Sequence, residues 1–398
     1  MWPRHINNRG QATLKPMALY DKWLLAAVAL IVGLGLLMVA SSSIVISQQQ
    51  YNQSFHYLIH QLVYLLLGIF LGLIVLRVNI SYWQKISPIL LLFSFALLAL
   101  ILIPGIGRSV NGSIRWIGIG PFGIQASELA KLAFIFFLAS YLKRREIEVR
   151  TQIMGFVKPV LIFGVMAVLL IKEPDFGTVV VLSATSLGMM FLAGARLGPF
   201  ITLLILAVGA IWALAIASPY RMARLTTFMD PWANQFDHGY QLTQSLIAFG
   251  RGGVWGNGLG ESIQKMFYLP EAHTDFLFAV LAEELGLIGI LCTIGLYALL
   301  IGRGLVIARH AQIQQKLFGA YVAYGISLCL GVQAMINMGV NAGILPTKGL
   351  TLPLMSYGGS SMLISCISIA LLFRIDHETR WDILGLGAPP PQHFQERI

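Results

Sequence analysis

The residues able to do chemistry in this chain are few, and most of them crowd the ends of apolar runs. Leu269-Pro270-Glu271-Ala272-His273-Thr274-Asp275-Phe276 sets four polar or ionisable positions directly before one such run. Thr and Asp favour helix N-termini, where a carboxylate also complements the helix dipole. A carboxylate at a membrane surface, between a loop and apolar walls, can equally serve as a general base. The residues alone leave both roles open for Asp275, and the two are compatible. His273 is a second titratable group on the same segment.

Glu283 and Glu284 follow within the same run, roughly 12–13 Å below Asp275 at 1.5 Å per residue. Ionisable groups at that depth are costly and face a bundle interior or a wet cavity. A structural hydrogen bond to a neighbouring helix is the plainer role, particularly for Glu284, which falls nearly opposite Asp275 around the helix. Glu128 and Lys131 are spaced i, i+3 and can pair on one face; they serve as a structural ion pair or as a device that orients a pyrophosphate. Residues 250–260 hold six glycines with Arg251. That run lacks the strand–loop–helix context of a nucleotide fingerprint, so tight turns around Trp255 are expected instead. Arg115, Arg251 and Lys348 are further cations for a local anion site. Ser356-Tyr357-Gly358-Gly359-Ser360-Ser361 supplies small and hydroxyl residues that let helices approach closely.

The elements that must position these groups are membrane spans. The chain of 398 residues is 57% hydrophobic and 11% charged, against about 25% charged in a soluble domain. Mean hydropathy is +0.76. About ten runs approach the roughly 20 residues that cross a bilayer: 23–46, 58–76, 86–103, 125–142, 157–171, 176–193, 200–218, 276–302, 319–341 and 353–373. The predicted fold is therefore an all-α polytopic membrane protein. The first run is too long for a signal-peptide core and is expected to be retained. Cys292, Cys329 and Cys366 fall inside spans and are expected to act as small apolar residues.

With ten spans both termini share a side. Of the 27 Lys and Arg, 18 fall on the side of the termini and 8 on the other, so the positive-inside rule places the termini in the cytoplasm. The net charge of +10 then follows from topology and calls for no nucleic-acid partner. The organisation expected is a cytoplasmic tail at 1–22, one transmembrane domain at 23–373 and a cytoplasmic tail at 374–398. Its one long loop, 219–275, lies outside between spans seven and eight, and a loop of that length is usually functional or disordered. Its aromatic residues argue for order. Leu242, Leu246 and Phe249 at i, i+4, i+7 predict a short amphipathic helix ending near Gly250 and roofing a cavity.

Three blocks carry a resemblance: Asn111-Gly112-Ser113-Ile114-Arg115-Trp116 through Gln125-Ala126-Ser127-Glu128-Leu129-Ala130-Lys131, Leu269 through Glu284, and Leu345 through Ser361. In order and spacing they resemble the SEDS family of bacterial cell-wall proteins (FtsW, RodA and SpoVE), and the ten-run pattern extends the likeness over nearly the whole chain. Pro346-Thr347-Lys348-Gly349 resembles the division branch (FtsW) more than the elongation branch (RodA). Ala126 departs from the Pro usual before Ser-Glu, which bears on how the fourth span begins.

The resemblance implies a peptidoglycan glycosyltransferase of the bacterial inner membrane that polymerises lipid II for septal wall synthesis. It implies Asp275 as the catalytic residue. Arg115, Glu128, Lys131, Arg251, His273, Glu283 and Lys348 are the candidate substrate contacts. A departing undecaprenyl pyrophosphate needs charge neutralisation by cations or by a divalent metal, Mg²⁺ or Mn²⁺. The partners implied are a class B penicillin-binding transpeptidase (FtsI-like) and other divisome proteins. Two other functions stay in view. A lipid II flippase would line one polar path with Glu128, Lys131, Glu283 and Glu284; a non-catalytic divisome scaffold would tolerate substitution of Asp275.

Overall fold

A computed structural model describes residues 20–383, apart from 111–112, 120–121, 195–196, 217–227, 234, 238 and 348. Lys348 therefore lies outside the described residues. The described helices are α1 (Lys22–Tyr51), α2 (His56–Arg77), α3 (Ile80–Ile101), α4 (Ala126–Arg144), α5 (Glu146–Thr151), α6 (Met154–Lys172), α7 (Phe176–Leu192), α8 (Leu197–Ile216), α9 (Tyr240–Gly252), α10 (Leu277–Ile313), α11 (Leu317–Asn341) and α12 (Gly359–Ile383). Each apolar run read from the sequence coincides with one of these helices. Seven are long and apolar enough to cross a membrane: α1, α2, α3, α6, α10, α11 and α12. Runs 125–142, 176–193 and 200–218 coincide with α4, α7 and α8. The tenth run starts late, because Leu354 takes φ +64° and residues 353–358 form turns before α12 begins.

Burial separates an inner from an outer set. In α11 and α12, 78% and 72% of the apolar window lies inside the protein, against 28–33% in α1, α2, α3, α6 and α10. Polar side chains that lipid would not tolerate sit on buried faces, Glu283 and Glu284 of α10 among them, while the exposed faces present leucine and isoleucine to the acyl chains. One small sheet, absent from the sequence expectation, joins α3 to α4. It comprises β1 (Arg108–Val110), β2 (Ser113–Ile119) and β3 (Phe122–Gln125), antiparallel in the order β1-β2-β3. Trp116 packs over Gly123. Ser360 fastens this sheet to the start of α12, accepting from Gln125 N at 2.9 Å and donating to Gly123 O at 3.1 Å.

At the end of the bundle away from Asp275, charged side chains pin the helix ends. Asp21 caps α1 by accepting from Leu24 N at 2.9 Å and also receives Arg303 and Arg380. Arg374 and Ile80 N both donate to Glu378, at 2.7 and 3.0 Å. Burial pushes the Asp21 carboxyl up, but the hydrogen bonds and charge of Arg303, with the Leu24 amide, outweigh it and hold its pKa below the ordinary carboxylate value. The stability this confers is present above about pH 3.9 and is lost as pH falls through the folded pKa. Asp21→Ala is expected to cost about 2–3 kcal/mol, from the lost cap and charged hydrogen bonds. A lower unfolding midpoint in detergent would register it, and an unchanged midpoint would count against the cluster's role.

Candidate functional site around Asp275

Asp275 stands in a turn just ahead of α10 and is partly exposed. The helix N-cap falls on Phe276, which has no side-chain oxygen to cap with. The cap comes from another helix: Asn341 Oδ1 accepts from Ala279 N at 3.1 Å. Two amides of α11 also hold the backbone of Asp275. Asn337 Nδ2 donates to its carbonyl at 2.8 Å and to Leu350 O at 2.6 Å, and Asn341 Nδ2 donates to the same Asp275 carbonyl at 2.9 Å. Only the amino end of Asn337 can bond two carbonyls, so its orientation is determined.

One turn earlier on the same face, Gln333 Nε2 donates to Thr351 O at 3.0 Å. Gln333, Asn337 and Asn341 thus form an i, i+4, i+8 ladder on α11 that joins residues 349–351 to Asp275. Gly349 closes the arrangement. A Cβ there would stand 3.1 Å from Asp275 Oδ2, so a residue without a side chain keeps the approach to the carboxylate open. This ladder was missed in the sequence, although three amides at helical spacing inside an apolar run are a legible signal.

Asn337→Ala is expected to lower kcat about 100-fold, the size of effect a 1 Å misplacement can have, with KM little changed. A KM effect alone would argue against a positioning role.

The expected site residues separate into distinct groups. Glu128 and Lys131 pair at 2.9 Å, and Lys131 also donates to Gln333 Oε1 at 2.6 Å. They therefore touch the amide ladder from the membrane side and reach Asp275 only through it. Glu283 and Arg251 are bonded to one another at 2.9 Å. The other Glu283 oxygen accepts from Ser262 Oγ and Gln264 N, at 2.5 and 3.2 Å. Glu284 receives Lys265 Nζ at 2.8 Å and Ser41 Oγ at 2.6 Å. Glu128 and Lys131 thus form one cluster, and Glu283 and Glu284 another, joined through Lys265 N, which donates to Ser262 Oγ at 3.3 Å.

His273 is buried. It packs against Tyr57 and Tyr357, with ring centroids at 4.4 and 5.6 Å. Burial lowers its pKa, more than the charge of Glu271 raises it. Its carbonyl accepts from Tyr357 N at 3.0 Å. Gln61 braces the facing turn by donating to Ser356 O at 3.0 Å.

Arg115, on β2, reaches across to the α6–α7 turn. It donates to Glu173 O at 3.2 Å and lies 3.9 Å from Asp175. Glu173 is fully buried, and its carboxyl, pushed up by burial and then by Asp175, titrates at about 8. Gly177, at the start of α7, packs on Leu350, which links this turn to the Asp275 segment. Among the described residues no three His, Cys, Asp or Glu side chains gather to hold a metal. Asp175 caps α7, accepting from Thr178 N at 3.3 Å and from Thr178 Oγ1 at 2.9 Å.

The expected amphipathic helix is α9, which continues two residues past Gly250. It packs against α10 and α11, and its contact face is wider than the leucine stripe. Leu242 is buried, Phe249 meets Phe278 at 5.8 Å, and Ser245 donates to Asn341 O at 2.7 Å.

Fold and site together define a polytopic α-helical membrane protein with a partly exposed carboxylate held at one end of the bundle. The model of a family of cell cycle proteins, FtsW, RodA and SpoVE, matches residues 22–381. The chain belongs to that family. The probable peptidoglycan glycosyltransferase FtsW of Legionella pneumophila is 58% identical over 386 residues, 97% of this chain and 98% of its own. That of Coxiella burnetii is 56% identical, over 90% of this chain and 97% of its own. Among solved structures, a peptidoglycan synthase complex shows 28% identity and a TM-score of 0.73, over 91% of this chain and 99% of that one. The rod shape determining protein RodA of Thermus thermophilus shows 28% identity and a TM-score of 0.68, over 92% of this chain and 99% of that one.

Proposed function

We propose that this protein is a peptidoglycan glycosyltransferase that polymerises lipid II into glycan strands for septal wall synthesis. The observation that carries the reading is the Asp275 carboxylate, partly exposed, bordered by side-chain-free Gly349 and held through its carbonyl by two buried amides. In this mechanism Asp275 accepts the proton of the acceptor sugar's 4-hydroxyl. The freed oxygen attacks the anomeric carbon of the donor, the bond to undecaprenyl pyrophosphate breaks, and the configuration inverts from α to β. Arg115 and Lys348 are the cations assigned to the departing pyrophosphate. His273 shapes the wall beside the carboxylate, and Glu128 and Lys131 brace it through Gln333. Arg251 and Glu283 act one step further out, by holding the loop that follows α9 against α10.

Both substrates are lipid-linked, which suits a site at the membrane surface between helix ends and loop. The charge asymmetry of the loops supports a single transmembrane domain in the inner membrane, with both termini in the cytoplasm and residues 219–275 outside. The high identity to relatives named FtsW supports placement at the division septum. A class B penicillin-binding transpeptidase is the partner of choice, since crosslinking must follow polymerisation.

The test is reconstitution. Purified protein in liposomes, with its transpeptidase partner, is expected to convert lipid II into polymer. Translocation of lipid II with no polymer formed would overturn the proposal in favour of a flippase.

A further inference from the structure

The loop that follows α9 is bonded to α10 on both sides of Gly286. We infer that residues 253–258 re-enter the bilayer, and that Trp255 and Val254, with Leu287, Ile288 and Leu291 of α10, form a contact surface for phospholipid acyl chains.

Depth comes from two antiparallel helices pinned at both ends. Asp21, at the foot of α1, bonds Arg303 of α10, and Ser41 of α1 bonds Glu284 of α10. Asp21 and Ser41 are about 30 Å apart along α1, and Arg303 and Glu284 about 28 Å apart along α10, at 1.5 Å per residue. Both spans match the roughly 30 Å hydrocarbon core. Glu284 therefore marks the edge of that core on the Asp275 side, and Leu287 and Ile288 lie about 5 Å inside it.

At that depth α10 is broken, because Gly286 takes φ +64° and ψ −161°. A break inside lipid strands the amides of Leu287 and Ile288 and the carbonyls of Glu283 and Glu284, which would otherwise pair with each other. Unpaired groups there cost several kcal/mol each. The loop repairs all four. Leu287 N donates to Gly253 O at 2.9 Å and Ile288 N to Val254 O at 3.3 Å; Asn257 N donates to Glu283 O at 3.0 Å and Gly258 N to Glu284 O at 3.1 Å.

The approach is close enough that a Cβ on Gly256 would overlap Glu284 O, and one on Gly286 would overlap Gly256 N. This explains the glycine run better than tight turns alone. Backbone paired to residues 287 and 288 must lie at their depth, and the side chains it carries there are apolar and uncovered. Trp255 is 81% exposed and Val254 53%, beside Leu287 at 45%, Ile288 at 41% and Leu291 at 58%. Acyl chains are the occupant available at that depth, and an indole at the edge of the core suits the aromatic belt of a membrane protein.

The test places a nitroxide at Trp255→Cys, or at Glu261→Cys as a charged, exposed control, with Cys292, Cys329 and Cys366 replaced by Ser or Ala. The full-length chain is reconstituted in phosphatidylethanolamine–phosphatidylglycerol liposomes. The label at 255 is expected to collide more with oxygen than with a water-soluble nickel chelate, and the label at 261 the reverse. A label at 255 that favours the nickel chelate overturns the inference, as does one shielded from both reagents, the signature of a covering protein surface. Hydrogen exchange of the unmodified chain in nanodiscs gives a second readout. Protected amides at Leu287 and Ile288 support docking of the loop, and free exchange there overturns it.

Discussion

Replacing Asp275 with asparagine is expected to cut lipid II polymerisation by about 10²–10⁴-fold, the usual worth of a general base. Asparagine keeps the shape of the side chain and cannot accept the proton. The clamp on this residue runs through its backbone carbonyl, to Asn337 and Asn341, so it survives the substitution and the turn before α10 stays in place. The folded protein should therefore melt close to the parent while losing turnover. Asp275→Ala should behave alike. Asp275→Glu carries the base but moves it by one methylene, and should retain part of the rate. Polymer synthesis within a few-fold of the parent by both the asparagine and alanine variants would sink the assignment.

Glu283→Leu should have the largest effect on stability. The Glu283 side chain is fully buried and accepts from Arg251 Nε, Ser262 Oγ, Ile263 N and Gln264 N. Leucine fills the volume but leaves an arginine, a hydroxyl and two amides without their acceptor. Breaking a buried pair in this one-sided way costs about 3–5 kcal/mol. Glu283→Gln keeps one acceptor oxygen and should lose less. The expected observations are a lower melting midpoint in detergent and faster proteolysis between residues 253 and 268. Activity should fall as a consequence, because the same loop and helix carry Asp275. Unchanged melting and proteolysis in Glu283→Leu would show that the loop is held by other contacts.

Local patterns made the helices and the site segment legible. Each apolar run found its helix, since a membrane span is a matter of length and composition. Asp275 stood out for a related reason, as a carboxylate at the boundary between a polar break and an apolar run. What could not be read was which group answers which. Ser41 meets Glu284 across 243 positions, and Gln61 meets Ser356 across 295. No periodicity links residues so far apart. The cap of α10 shows the same limit: the sequence offered Thr274 and Asp275 for it, yet Asn341 of another helix supplies it.

By itself the sequence determined that this protein lives in a membrane, where its apolar helices fall and which acidic residue stands just before the eighth apolar run. Those properties depend on hydrophobic length and on charges near helix ends, both of which are local. Tertiary structure decided the rest. It set Glu128 and Lys131 apart from Glu283 and Glu284, broke α10 at Gly286, and seated the glycine run in the gap. The physical reason is that buried polar groups in lipid must find partners wherever packing brings them, and packing is a property of the whole bundle.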